Sequence, residues 1–244
     1  RMIMELMPHQ EKAVAQLSPG KILWGGVGSG KSLTVLAWYL RNLAPMDIYV
    51  ITTAKKRDSL DWVGEAAKLG IGTEPDGTVA GILHVDSWNN LGNYSETTGA
   101  FFIFDEQRLV GSGSLTKSFI KIAKSKLWIM LSATPGDVWM DYVPVFIANG
   151  FYKNKTEFVN DHVLYEPFSH YPKVRGYLGE RKLEILRNDV LVEMPFVKHT
   201  ERIMNYMECD YEAGTFNRVW RDRWNVFDES PIKDVAELFR VCRR

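Results

Sequence analysis

Four residues at fixed spacing carry the first chemistry in this chain. They are Gly25, Gly30, Lys31 and Ser32, inside the stretch KILWGGVGSGKSLT from Lys21 to Thr34. The spacing G-x-x-x-x-G-K-[ST] is that of a phosphate-binding loop. A triphosphate needs backbone N–H groups aimed inward, and glycines let the chain fold around it without a Cβ in the way. Gly25, Gly26, Val27, Gly28, Ser29, Gly30, Lys31, Ser32 and Leu33 form the candidate binding segment. Lys31 would reach the β- and γ-phosphates, and the Ser32 hydroxyl would ligate Mg²⁺.

The second signal is Asp105-Glu106, which follows the apolar run Phe101 to Phe104. Two adjacent carboxylates at the tip of a buried strand are unfavourable unless a cation is near. In a phosphoryl-transfer site Asp105 would hold Mg²⁺, mostly through water, and Glu106 would polarise the attacking water. The catalytic candidates are therefore Lys31, Asp105 and Glu106, with Ser32 and Asp105 as metal ligands. Ser132-Ala133-Thr134 adds two hydroxyls at the end of a further apolar run, Leu127 to Leu131.

These residues must be positioned by strands and helices, and the sequence names them. Ile22 to Trp24 and Ile48 to Ile51 have strand length and character, as do Gly81 to Val85, Phe101 to Phe104 and Leu127 to Leu131. Helical patterns cover residues 4–17, 33–43, 58–69 (with Leu60, Val63 and Ala67 on one side) and 115–125, the last capped by Ser114. Apolar strands alternating with helices predict an α/β fold, a mostly parallel sheet with helices on both faces. In such a sheet ligands bind at the C-terminal ends of the strands, where the polar motifs lie. Further on, residues 138–150, 155–163 and 180–188 read as helices and 165–179 as irregular chain. Residues 190–194 and 201–208 read as strands, and 212–224 and 232–244 as helices.

Taken in order, Gln10, GGVGSGKS, TTAKK, DSWNN, DEQR and SATPG resemble the first RecA-like lobe of superfamily 2 helicases and translocases. The likeness is strongest to the branch with chromatin-remodelling translocases and phage-type DNA helicases, and it covers about residues 5–150. It implies a RecA-like P-loop NTPase over residues 1–150, a helical extension packed on that lobe over 151–198, and a connector over 199–244. It implies ATP and Mg as cofactors and Gln10 as the reader of the adenine edge. Ser132 and Thr134 would couple hydrolysis to movement. Thr52, Thr53, Lys55, Lys56, Ser87 and Trp88 would touch nucleic acid. The implied partners are DNA, duplex rather than single-stranded, and a second RecA-like lobe bearing arginine fingers, which the 244 residues do not include. A poor ATPase in isolation is the expectation. Gln107-Arg108 departs from the Ala-His common in relatives. Two rivals share these motifs: the ATPase lobe of a viral DNA-packaging terminase, and an ATP-dependent DNA-binding switch without turnover of its own.

Composition narrows the classes further. Lys plus Arg and Asp plus Glu both number 30, so there is no overall basic charge of the kind that coats nucleic acid, and DNA contacts must come from local patches. No apolar run approaches the ~20 residues of a membrane span. Two cysteines, Cys209 and Cys242, argue against a disulfide scaffold or a zinc site and fit a reducing cytoplasm. Lys117, Lys121 and Lys124 read first as a solvated helix face. Arg218, Arg221 and Arg223 read first as charges over packed Trp220 and Trp224.

Overall fold

The computed structural model describes residues 5–75, 80–105, 113–167, 171–195 and 212–242. The chain divides into two compact units, residues 1–198 and 199–244.

The first unit begins with α1 (Pro8–Gln16), β1 (Ile22–Trp24), α2 (Lys31–Asn42) and β2 (Asp47–Thr52). Next come α3 (Ala54–Asp58), α4 (Asp61–Ala67), β3 (Leu83–Ser87), a 3-10 helix over Trp88–Tyr94, and β4 (Ala100–Asp105). Then follow α5 (Ser114–Ala123), β5 (Leu127–Ser132), α6 (Trp139–Ala148) and α7 (Lys155–His162). β6 (Val163–Tyr165), β7 (Val174–Tyr177), α8 (Glu180–Val190) and β8 (Leu191–Glu193) complete it.

Six strands make one parallel sheet in the order β3-β2-β4-β5-β1-β8. Side-chain alternation along each strand feeds two cores. Phe101 and Ile103 of β4 join Leu23, Ile129 and Leu131 beneath α1, α2 and α4. Phe102 and Phe104 join Ile22, Trp128 and Met130 beneath α5, α6, α7 and α8. Each of these large side chains contributes about 1.5–3 kcal/mol by leaving water. The result is a RecA-like α/β fold: β1, which carries the glycine loop, and β4, which carries Asp105, are separated by a single strand, β5.

Several boundaries differ from the sequence reading, each for a local reason. α1 starts at Pro8 rather than residue 4, because the residue before a proline is driven to extended backbone and Met7 has ψ 154°. The helix expected over 58–69 is the shorter α4, and a separate helix, α3, precedes it over Ala54–Asp58. Leu60 between them is left-handed (φ 58°) and exposed, and the buried face is Trp62 and Ala66. Gly113, not Ser114, takes the N-cap position of α5. Residues 165–179 are not wholly irregular, since β7 pairs antiparallel with β6. Residues 151–198 do more than pack on the lobe: β8 enters the main sheet beside β1. The strand expected over 201–208 lies outside the described residues. Among those described, no helix is long and apolar enough to cross a membrane.

The second unit contains α9 (Ala213–Trp220), a hairpin of β9 (Trp224–Asn225) and β10 (Ser230–Pro231), and α10 (Val235–Cys242) around Val219, Leu238 and Val241. The hairpin cuts short the helix expected over 212–224. Buried Asn225 shapes its turn by accepting the N–H groups of Phe227 and Asp228 at 3.1 and 3.2 Å. Arg218 lies over Trp224 and Arg223 over Trp220, each 5.8 Å from the ring centre, so these arginines stack on the tryptophans.

Candidate functional site

The parallel register brings the tips of five strands to one edge. Thr52 pairs with Ser87, Asp105 with Leu131, and Trp24 with Ser132. Ile51 lies opposite Phe104, and the next residues on those strands, Thr52 and Asp105, meet through their side chains. The motifs therefore converge through topology, although Trp24 and Asp105 are far apart in the chain.

At the tip of β1 the chain turns out of the sheet into the glycine loop. Gly25 N–H donates to Ser132 O at 3.1 Å, and the Trp24 indole donates to Ala133 O at 3.2 Å. The loop is thus tied by backbone to the Ser132–Thr134 segment. Ser132 Oγ accepts the Thr134 N–H at 3.0 Å and closes that turn. From the other side, Met194 N–H donates to Trp24 O at 2.7 Å, and its sulfur accepts from the Thr34 hydroxyl at 3.4 Å. Gly30 has φ 82°, and a Cβ there would collide with the Gln10 amide nitrogen. A Cβ on Gly25 would lie 2.7 Å from Ser29 Oγ.

Lys31 is only 8% exposed. Its ammonium donates to the loop's own carbonyls, Gly25 O at 2.6 Å and Gly26 O at 2.9 Å. Gly26, Val27 and Gly28 are exposed, Ser32 and Leu33 partly so. Ser29 Oγ is buried with no hydrogen-bond partner, alone in this among the described residues. His9, which the sequence reading passed over, contacts Ser29 O through Nε2 at 3.2 Å. Gln10 is buried. Its Oε1 accepts the Met7 N–H at 2.8 Å, so here it caps α1 and supports Gly30.

At the tip of β4 the arrangement is closed. Asp105 is 1% exposed, and Oδ2 accepts from the Thr52 hydroxyl and the Trp62 indole, both at 2.9 Å, and from Lys56 Nζ at 3.3 Å. The Trp88 indole donates to the Asp105 carbonyl at 3.0 Å. Beside it Asp86 accepts from Tyr94, Asn90, the Ser87 N–H and Arg57. Burial pushes the Asp86 carboxyl up, but these donors outweigh it and hold the pKa below the usual carboxylate value. Glu106, Gln107 and Arg108 lie outside the described residues.

The geometry corrects the nucleic-acid set. Thr52, Ser87 and Trp88 are buried, with Thr52 and Trp88 engaged on Asp105, so their side chains face the protein. Thr53 caps α3 by accepting the Lys56 N–H at 3.3 Å, and Lys55 is exposed. Trp62, His9 and Met194 are the contributors that sequence reasoning missed. Only His9 had a local signal, its place next to Gln10.

The residues fit a phosphate and a divalent cation. A buried ammonium sits on a glycine cradle, a loop hydroxyl lacks a partner, and a buried carboxylate stands in the same row of strand tips. Among the described residues no group of three or more His, Cys, Asp or Glu side chains is placed to hold a metal by itself. A buried carboxylate beside a phosphate cradle suits a cation carried with phosphate oxygens.

No family model matches the chain, and no curated protein sequence matches it. Among solved structures, the crystal structure of the flagellar accessory protein FlaH from Methanocaldococcus jannaschii is similar over 71% of this chain and 87% of that one, at 15% identity and a TM-score of 0.31. A likeness of that size carries no inference about activity, which rests on the residues themselves.

Proposed function

We propose that this chain is an ATP-binding lobe that hydrolyses ATP with Mg²⁺ to drive movement along DNA, duplex rather than single-stranded. One observation carries the reading: the Lys31 ammonium sits in a glycine cradle at the same sheet edge as the buried Asp105 carboxylate. Gly25 to Leu33 would bind the phosphates, and the Lys31 ammonium would exchange the loop carbonyls for phosphate oxygens. Ser32 and Asp105 would hold the cation. Mg²⁺, when bound, neutralises charge on phosphate oxygens. Glu106 would take the proton of the attacking water. The tie between Gly25 and Ser132 supports a coupling role for Ser132 and Thr134, because a shift of the loop must move that turn.

The DNA part of the proposal rests on the resemblance, with Thr53, Lys55 and partly exposed Lys56 as the remaining contacts and a second RecA-like lobe as the partner that supplies arginines. Phosphate release from ATP, measured with Mg²⁺ and with or without duplex DNA, tests the whole. The expected result is slow, Mg²⁺-dependent release that duplex DNA increases and Glu106→Gln removes. Release indifferent to Glu106→Gln would reject the assigned chemistry. Release indifferent to DNA would reject the motor and leave an ATPase.

A further inference from the structure

Asp105 meets more donors than a carboxylate waiting for a metal needs, and the three differ in kind. Thr52 and Trp62 are neutral and buried, the first fixed on β2 and the second on α4. Lys56 is charged, and its side chain is 31% exposed against 2% for that of Asp105. A carboxylate has about four lone-pair sites, so two neutral hydrogen bonds on Oδ2 leave room for a cation. An ammonium 3.3 Å away is different, because it repels any second cation drawn to the same group. The partly exposed lysine has solvent to move into, whereas Trp62, 2% exposed, does not.

We propose that Lys56 is the resident counter-cation of Asp105 and competes with a divalent metal for it, while Thr52 and Trp62 hold the carboxylate in place throughout. The inference rests on the nucleotide-site reading above and adds a regulatory residue to it. Lys56 lies on α3, whose first turn is set by the Thr53 cap and which also carries exposed Lys55. Metal loading would thus release a positive charge onto the helix beside Lys55. Occupancy at Asp105 would be linked to the charge that α3 presents.

The test is metal affinity. Mn²⁺ shares the oxygen-ligand octahedral preference of Mg²⁺ and is read directly by its resonance signal when free. Mn²⁺ is titrated into the full chain loaded with one equivalent of ADP, for the parent, Lys56→Met, Lys56→Gln, Lys56→Arg and Trp62→Phe. Removing the competing charge in Lys56→Met or Lys56→Gln should tighten Mn²⁺ binding about tenfold. Lys56→Arg should stay near the parent, and Trp62→Phe should not tighten. A merely structural lysine predicts the opposite: both neutral variants weaken binding as the carboxylate loses support. Unchanged or weaker affinity in whichever neutral variant folds overturns the proposal. A parent that takes up no Mn²⁺ with ADP overturns the nucleotide-site reading itself, and the Lys56 role with it.

Discussion

The tips of β1 and β4 lie in one sheet edge, a single strand apart, yet they are built in opposite ways. At β1 the backbone does the work: glycines leave the sheet, Gly26 to Gly28 stand in solvent, and the Lys31 ammonium bridges the loop's own carbonyls. At β4 side chains do the work: Asp105 is buried under three donors from three different elements. The first tip keeps its strongest group on contacts that a phosphate can replace. The second fixes a charge before any ligand arrives. A site that must accept and release an anion can be open where the anion enters and rigid where charge is positioned.

Removing the charge from the closed tip should have the largest effect on stability. Asp105→Ala leaves the buried Thr52 hydroxyl and Trp62 indole without their acceptor, and denaturant unfolding should show a loss of about 2–4 kcal/mol. A loss under 1 kcal/mol would mean that the cluster is not the rigid half of the comparison. At the open tip the equivalent weak point is backbone geometry. Gly30→Ala forces a Cβ into left-handed backbone against Gln10 and should cost about 2 kcal/mol in the same measurement. Gln10→Ala removes one cap and should cost about 1 kcal/mol. Measuring the ATP-to-GTP affinity ratio in that variant sharpens the point. A narrowed ratio keeps the adenine role, and an unchanged one assigns Gln10 to the cap alone. The smallest effect belongs to Val27, 79% exposed at the crest of the loop, where Val27→Ala should stay within about 0.5 kcal/mol.

The same contrast explains what was legible in the sequence. The open tip is local: Gly25, Gly30, Lys31 and Ser32 lie in one short stretch of chain, so their spacing predicts both loop and helix. The apolar runs of β2, β4 and β5 are equally plain, and their character gives a parallel α/β sheet. The closed tip is not local. Trp62 and Thr52 reach Asp105 across 43 and 53 residues, and no periodicity encodes such a bond. The sequence pattern even favours the wrong face, since Leu60, Val63 and Ala67 have helical spacing while Trp62 and Ala66 are the buried pair. A left-handed residue at Leu60 resets the phase, and nothing in its side chain announces that. The place of β8 beside β1 is also set by pairing at a distance, and with it the support that Met194 gives the loop.

Lys31 carries the central claim, and the structure changes what its removal should do. The side chain is buried on two loop carbonyls rather than free in solvent, so Lys31→Ala should loosen the loop by about 1–3 kcal/mol as well as remove the phosphate-binding charge. The most direct measurement is calorimetric titration of Mg²⁺·ATP into the parent and into Lys31→Ala, with circular dichroism to confirm that the variant is folded. The account predicts saturable binding by the parent and none by the folded variant. Equal affinity in the two proteins would contradict it.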